Sequence, residues 1–169
     1  MRISVPLVNG LLPDKYGKYS AASDMVDGKP LRSFPIKIED APSATKSFAL
    51  IFIDYDAVPV GGFMWIHWLA ANIPANTTEI PENNSQELKI PMVQGKNSTA
   101  GPLVGNRNPV SNQHYNGPQP PDKTHDYELK FYALDSKLDI DDGFWLNELR
   151  RKIAGHILDE QRVIIPSRK

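Results

Sequence analysis

Cysteine is absent from the chain. That absence removes disulfides, thiolate metal ligands and cysteine nucleophiles from consideration. No apolar run approaches the length that crosses a bilayer. The first stretch, MRISVPLVNGLLPDKYGKY, is too broken by Pro6, Asn9, Gly10 and Pro13 to read as a signal peptide. Neither sign of charge dominates, since 19 Lys and Arg stand against 20 Asp and Glu. There is thus no basic footprint for nucleic acid and no cationic amphipathic segment for a membrane surface. The expectation is a single cytoplasmic domain over 1–169 with a core that needs no staples. Sustained helical periodicity is also scarce, whereas 15 prolines and 11 glycines are scattered throughout. That points to many short strands joined by turns.

Three segments read as strong strands. Ser47–Ile53 (SFALIFI) is apolar on both faces, as a central strand covered on both sides must be. Trp65–Ile73 (WIHWLAANI) is mostly apolar and stops at Pro74. His125–Leu134 (HDYELKFYAL) alternates, with His125, Tyr127, Leu129, Phe131 and Ala133 on the inner face. Weaker strands are expected at Ile3–Val8, Pro35–Glu39, Lys89–Val93 and Arg162–Ile165. One helix is expected over Asp141–Ala154, capped by Asp141 or Asp142, ended by Gly155, and packed through Trp145, Leu146, Leu149 and Ile153. The stretch Gln94–Thr124 is a long loop rich in Gly, Pro and Asn that delivers the chain to His125. Asn76-Thr77-Thr78 and Asn97-Ser98-Thr99 match the glycosylation pattern and are read as polar loops.

His67 is the ionisable residue in an otherwise core-like strand. Its ordinary role would be a satisfied core histidine. Its neighbours suggest another. Asp54 lies at the exit of the first strong strand and His67 near the entrance of the next, across a loop short enough for antiparallel pairing. If the strand beginning at His125 flanks the first on its other side, His125 reaches the same edge. Two imidazoles and one or two carboxylates then surround a loop-rimmed pocket, with Trp65, Trp68 and Tyr127 available as wall. Cationic imidazoles would suit phosphate oxygens. Asp54 or Asp56 is then the group that orients a histidine or meets a ligand's amine or hydroxyl.

The run DYDA at Asp54–Ala57, then WIHW at Trp65–Trp68, then GPQPPDKTHDYELKFYALD at Gly117–Asp135, resembles the phosphatidylethanolamine-binding protein family, in its bacterial, Raf kinase inhibitor-like branch. The resemblance runs from about Ser47 to Asp135. It implies a mainly β fold, an antiparallel two-sheet β-sandwich with a C-terminal helix, holding a small anion pocket. The family's pocket positions fall on Asp54, His67, Pro120, His125 and Tyr127, with Ala57 and Trp65 as wall. Three positions depart from the family pattern. Tyr55 replaces a proline, Val58 displaces another to Pro59, and Asp126 replaces an arginine.

The function expected is a non-catalytic binding protein for a small anionic ligand, phosphate or phosphoethanolamine-like, with no cofactor, no nucleic acid and no stable membrane insertion. It could also act on a protein partner or form a homodimer. The alternatives are a hydrolase using an Asp54–His67 dyad and activated water, and a zinc or iron site on Asp54, Asp56, His67 and His125. No Gly-x-Ser-x-Gly turn offers a nucleophile.

Overall fold

Strands form where branched and aromatic residues cluster between the prolines. A computed structural model describes residues 1–169. Its strands in chain order are β1 (Arg2–Ser4), β2 (Met25–Val26), β3 (Lys29–Pro30), β4 (Ile36–Glu39), β5 (Ser47–Asp54), β6 (Trp65–Pro74), β7 (Glu79–Ile80), β8 (Val93–Gln94), β9 (His125–Leu134) and β10 (Ile157–Ser167). Three single-turn helices, α1 (Val58–Gly61), α2 (Asn84–Glu87) and α3 (Pro109–Asn112), precede the two-turn α4 (Leu146–Ile153). No helix is long and apolar enough to cross a membrane.

The strands make a five-stranded antiparallel sheet in the order β10-β9-β5-β6-β8, a three-stranded sheet β1-β4-β7 and a two-stranded ribbon β2-β3. β5 is central and every one of its residues is buried. One face meets the three-stranded sheet, where Ile36, Ile38 and Ile80 pack on Phe48, Leu50, Phe52 and Phe131. The other face carries Ala49, Ile51, Ile53, Tyr132 and Leu134 beneath Leu149 and Ile153 of α4. A two-layer sandwich with a helix on its back follows from this double burial.

The main corrections lie at the edges. Pairing of β1 stops at Ser4 rather than running to Val8, because Pro6 has no N–H to continue the ladder. β8 is only Val93–Gln94, and the preceding Ile90 bonds instead to the Asn84 amide, which accepts from its N–H at 2.8 Å. β10 is far longer than Arg162–Ile165. It pairs with β9 from Ile157↔Leu134 to Ser167↔His125, and its outward charged side chains conceal the apolar period. α4 begins at Leu146, not Asp141. The Glu148 carboxylate accepts from the Trp145 N–H at 2.7 Å and starts the helix, while Asp142 accepts from the Gln94 N–H at 2.8 Å and ties this segment to β8. Gly155, at φ 83°, turns the chain out of the helix.

The loop Gln94–Thr124 is ordered by its own amides. Asn97 is fully buried. Its side chain donates to the carbonyls of Ser111 and His114, each at 2.9 Å, and accepts from the Thr99 N–H at 3.0 Å. Asn97 is therefore the organising residue of the loop rather than a solvated position. Trp68, Gln94 and Ser85 form a second buried network. The indole N–H and the Ser85 hydroxyl both donate to Gln94 Oε1, at 2.8 and 2.7 Å, and Gln94 Nε2 donates to the Ser85 carbonyl at 2.9 Å.

Candidate functional site

β5 runs antiparallel to both β6 and β9, so the exit of β5 and the entrances of β6 and β9 share one edge of the sheet. Asp54 pairs in register with Trp65 on one side and Tyr127 on the other. A cavity of about 220 Å³ opens there. Asp54, Ala57, Trp65, His67, Pro120, His125 and Tyr127 line it. Asp56 does not. Its carboxylate accepts from the Asp126 N–H at 3.0 Å, which braces the start of β9 from outside.

His67 reaches the cavity through a β-bulge. Phe52 pairs with Trp68 and Ile53 with Ile66, so His67 is the extra residue on β6. Strict alternation would have placed His67 with Leu69 and Ala71, on the face that α4 covers. The bulge reverses this parity, and both His67 and Trp68 face the first layer. The imidazole lies 5.7 Å from the Phe52 ring and 5.0 Å, edge-on, from Tyr127. A second irregularity at Asn72, φ 56°, restores the period. The Asn72 amide bonds the N–H and the carbonyl of Leu138, at 2.8 and 2.9 Å.

The loop supplies the partner of His67. Nδ1–H donates to the Asn116 carbonyl at 2.6 Å, and the Asn116 N–H donates back to the His67 carbonyl at 2.9 Å. That bond fixes the proton on Nδ1 and leaves Nε2 without a protein partner. Burial pushes the imidazole down to about 4, against the opposing pull of the Asn116 carbonyl and Asp54. His67 is therefore neutral near pH 7, which corrects the expectation of two cationic imidazoles.

His125 behaves in the opposite way. Its Nδ1 donates to Asp54 Oδ2 and its Nε2 to Asp122 Oδ1, both at 2.8 Å. Burial alone would lower its proton affinity, but the two carboxylates overcome this and raise it. Asp54 thus orients His125, not His67. The other Asp54 oxygen accepts from the Ala57 N–H at 3.1 Å and holds the turn into α1. Asp54 and His67 face the same cavity but share no direct hydrogen bond. Nor do Asp54, Asp56, His67 and His125 gather in a metal-holding arrangement. Tyr127 is buried, and desolvation together with Asp54 drives its hydroxyl well above the usual phenol range, so it remains a donor.

Three polar lining residues, Lys29, Asn116 and Gln119, escaped the sequence, as did Gly117. Asn116 is buried, and its Oδ1 finds no partner. Lys29 arrives because Gly117 lets two backbones meet. Its N–H donates to the Pro30 carbonyl at 2.7 Å, and a Cβ there would lie 2.3 Å from the Tyr16 carbonyl. The Asn-Gly-Pro run at 116–118 was the available signal, a turn beside a rigid residue. The apolar wall comes from Val60, Phe63 and Trp65, with the last two rings stacked 6.2 Å apart.

The family model described as phosphatidylethanolamine-binding protein matches residues 3–167. The chain is 49% identical over 160 residues to the uncharacterized protein YxkA of Bacillus subtilis, covering 95% of each. It is 32% identical over 157 residues to a UPF0098 protein of Methanothermobacter thermautotrophicus, covering 92% of this chain and 89% of the other. Among solved structures, a homologue from Chlamydia trachomatis, CT736, superposes with a TM-score of 0.75 at 27% identity, over 94% of this chain and 90% of that one. Escherichia coli YbcL shares the fold, with a TM-score of 0.76 at 21% identity over 99% and 98% of the two chains.

Proposed function

Because the chain belongs to the phosphatidylethanolamine-binding protein family, we propose that it is a non-catalytic binding protein whose cavity takes a small phosphorylated or carboxylated molecule, in the manner of phosphoethanolamine. The observation that carries this reading is the composition of the cavity: a mostly apolar wall with a few convergent polar groups that have spare bonding capacity. The Lys29 ammonium and the Tyr127 hydroxyl are donors for phosphate or carboxylate oxygens. His67 Nε2, the Asp54 carboxylate and Asn116 Oδ1 are acceptors for an amine or a hydroxyl. A ligand bearing both kinds of group uses both halves of this set, and a bare anion uses one. His125 contributes no free donor while Asp54 and Asp122 hold its nitrogens. It acts as the fixed partner that lets Asp54 stay buried.

Calorimetric titration of the full chain with phosphoethanolamine, phosphate and acetate tests this. The expected result is saturable binding, tightest for phosphoethanolamine and weakened in Lys29→Ala and His67→Asn. Absence of saturable heat for all three compounds with the folded protein would retire the proposal.

A further inference from the structure

We propose a second ligand site on the opposite face of the five-stranded sheet: a cleft between α4 and the outer surface of β5, β9 and β10 that takes a small amphiphilic anion, an apolar body bearing one carboxylate. The cleft encloses about 400 Å³, more than the cavity at the sheet edge. It exists because the cover is short. The eight residues of α4 span about 12 Å, whereas the ten residues of β9 run for about 33 Å. Beyond the helix the floor is apolar, formed by Ile51, Ile53 and Met64.

Two features of the rim point to an anion. The first is a charge imbalance. Lys130 and Arg162 stand directly opposite each other on β9 and β10, a like-charge pairing that is unfavourable in a sheet. Glu128 lies 3.1 Å from Lys130 and Glu160 lies 3.3 Å from Arg162. Arg150 reaches the same cleft from α4 and has no ion-pair partner. Three cations thus meet two carboxylates.

The second feature is Tyr132. It is 6% exposed, it lines the cleft, and its hydroxyl has no hydrogen-bond partner in the protein. Burial, aided by Glu160, pushes it up to about 12, so the group remains a donor at neutral pH. A guanidinium and a phenol hydroxyl without partners, above an apolar floor, match a carboxylate on a hydrophobic body.

The test is titration of naphthoate into the full chain by calorimetry, with uncharged naphthalenemethanol as its counterpart. Arg150→Glu changes only an exposed helix position, and Tyr132→Phe keeps the buried ring. Circular dichroism checks that both fold. The expected result is a saturable naphthoate component that is about tenfold weaker in Arg150→Glu, several-fold weaker in Tyr132→Phe, and retained in His67→Asn, whatever share the edge cavity takes up. The site is overturned by undiminished affinity in Arg150→Glu, by loss of binding in His67→Asn, by equal affinity for naphthalenemethanol, or by no saturation in the millimolar range. Because the His67 variant reports only on the edge cavity, failure here is distinguishable from failure there.

Discussion

Asp54 and His125 face each other from neighbouring strands of the central sheet, Oδ2 2.8 Å from Nδ1, with side chains 5% and 1% exposed. Both imidazole nitrogens of His125 are engaged inside the protein before any ligand arrives. Removing His125 strands a buried carboxylate, and removing Asp54 leaves the buried imidazole with only the half-exposed Asp122 as partner. Asp54→Ala is expected to cost about 3–5 kcal/mol, and Asp54→Asn less, because the amide still bonds. Urea unfolding measures both, and a cost below that of an ordinary surface substitution contradicts the assignment. Asp122 is half exposed, so Asp122→Asn should change stability far less than either Asp54 variant.

Acid should act on His67. Its proton affinity falls from 6.5 in the free residue to about 4 in the fold, so between these values the unfolded chain binds the extra proton. Stability from this group is whole above pH 6.5 and declines toward pH 4, on the order of 3 kcal/mol in all. His125 is raised instead, so its contribution is present below pH 6.5 and is lost as pH climbs through its folded value. Urea midpoints of wild type and His67→Asn across pH 4 to 7 separate the two. The variant should lose about one proton's worth of slope, and identical slopes would show that His67 is not buried neutral.

The network around Gln94 should be sensitive to shape-preserving change. Gln94→Leu leaves the Trp68 N–H and the Ser85 hydroxyl without their acceptor. An expected loss of about 2–4 kcal/mol follows from two orphaned donors. Thermal or urea unfolding reads it directly. A near-neutral result would mean that water replaces the amide.

Gly117 couples the loop to β3. A methyl there meets the Tyr16 carbonyl and the Pro30 side chain, so Gly117→Ala is expected to destabilise by about 1–3 kcal/mol. By displacing the segment that carries Lys29 it should also weaken phosphoethanolamine binding. Unchanged stability and unchanged affinity together would contradict this coupling.

The strands that build the site were legible because burial writes itself into composition. SFALIFI can only be a covered strand, and HDYELKFYAL places its odd positions inward by period alone. The shared edge of β5 and β6 follows from their short connection, whereas the place of β9 beside β5 does not, since the long loop Gln94–Thr124 precedes it. The orientation of His67 was not legible, since the bulge that sets it adds one residue without altering the apolar character of β6. Its partner was hidden for a related reason: the acceptor is the Asn116 carbonyl, and a backbone atom carries no residue signature. The helix start was misread because Asp142, a good cap by type, is committed to Gln94 across the chain. Asp56 looked equivalent to Asp54 two residues away, but its carboxylate turns to the Asp126 N–H.

The central claim is that His67, with its proton held on Nδ1, presents Nε2 to a small ligand in the cavity. The most direct measurement is nitrogen NMR of histidine-labelled protein titrated with phosphoethanolamine. The account predicts a saturable shift of the His67 Nε2 resonance, an unshifted His156, and loss of the effect in Lys29→Ala at the same concentrations. A His67 resonance that stays still while phosphoethanolamine is raised to saturating excess, or one that already shows a protonated ring at pH 7, would contradict it.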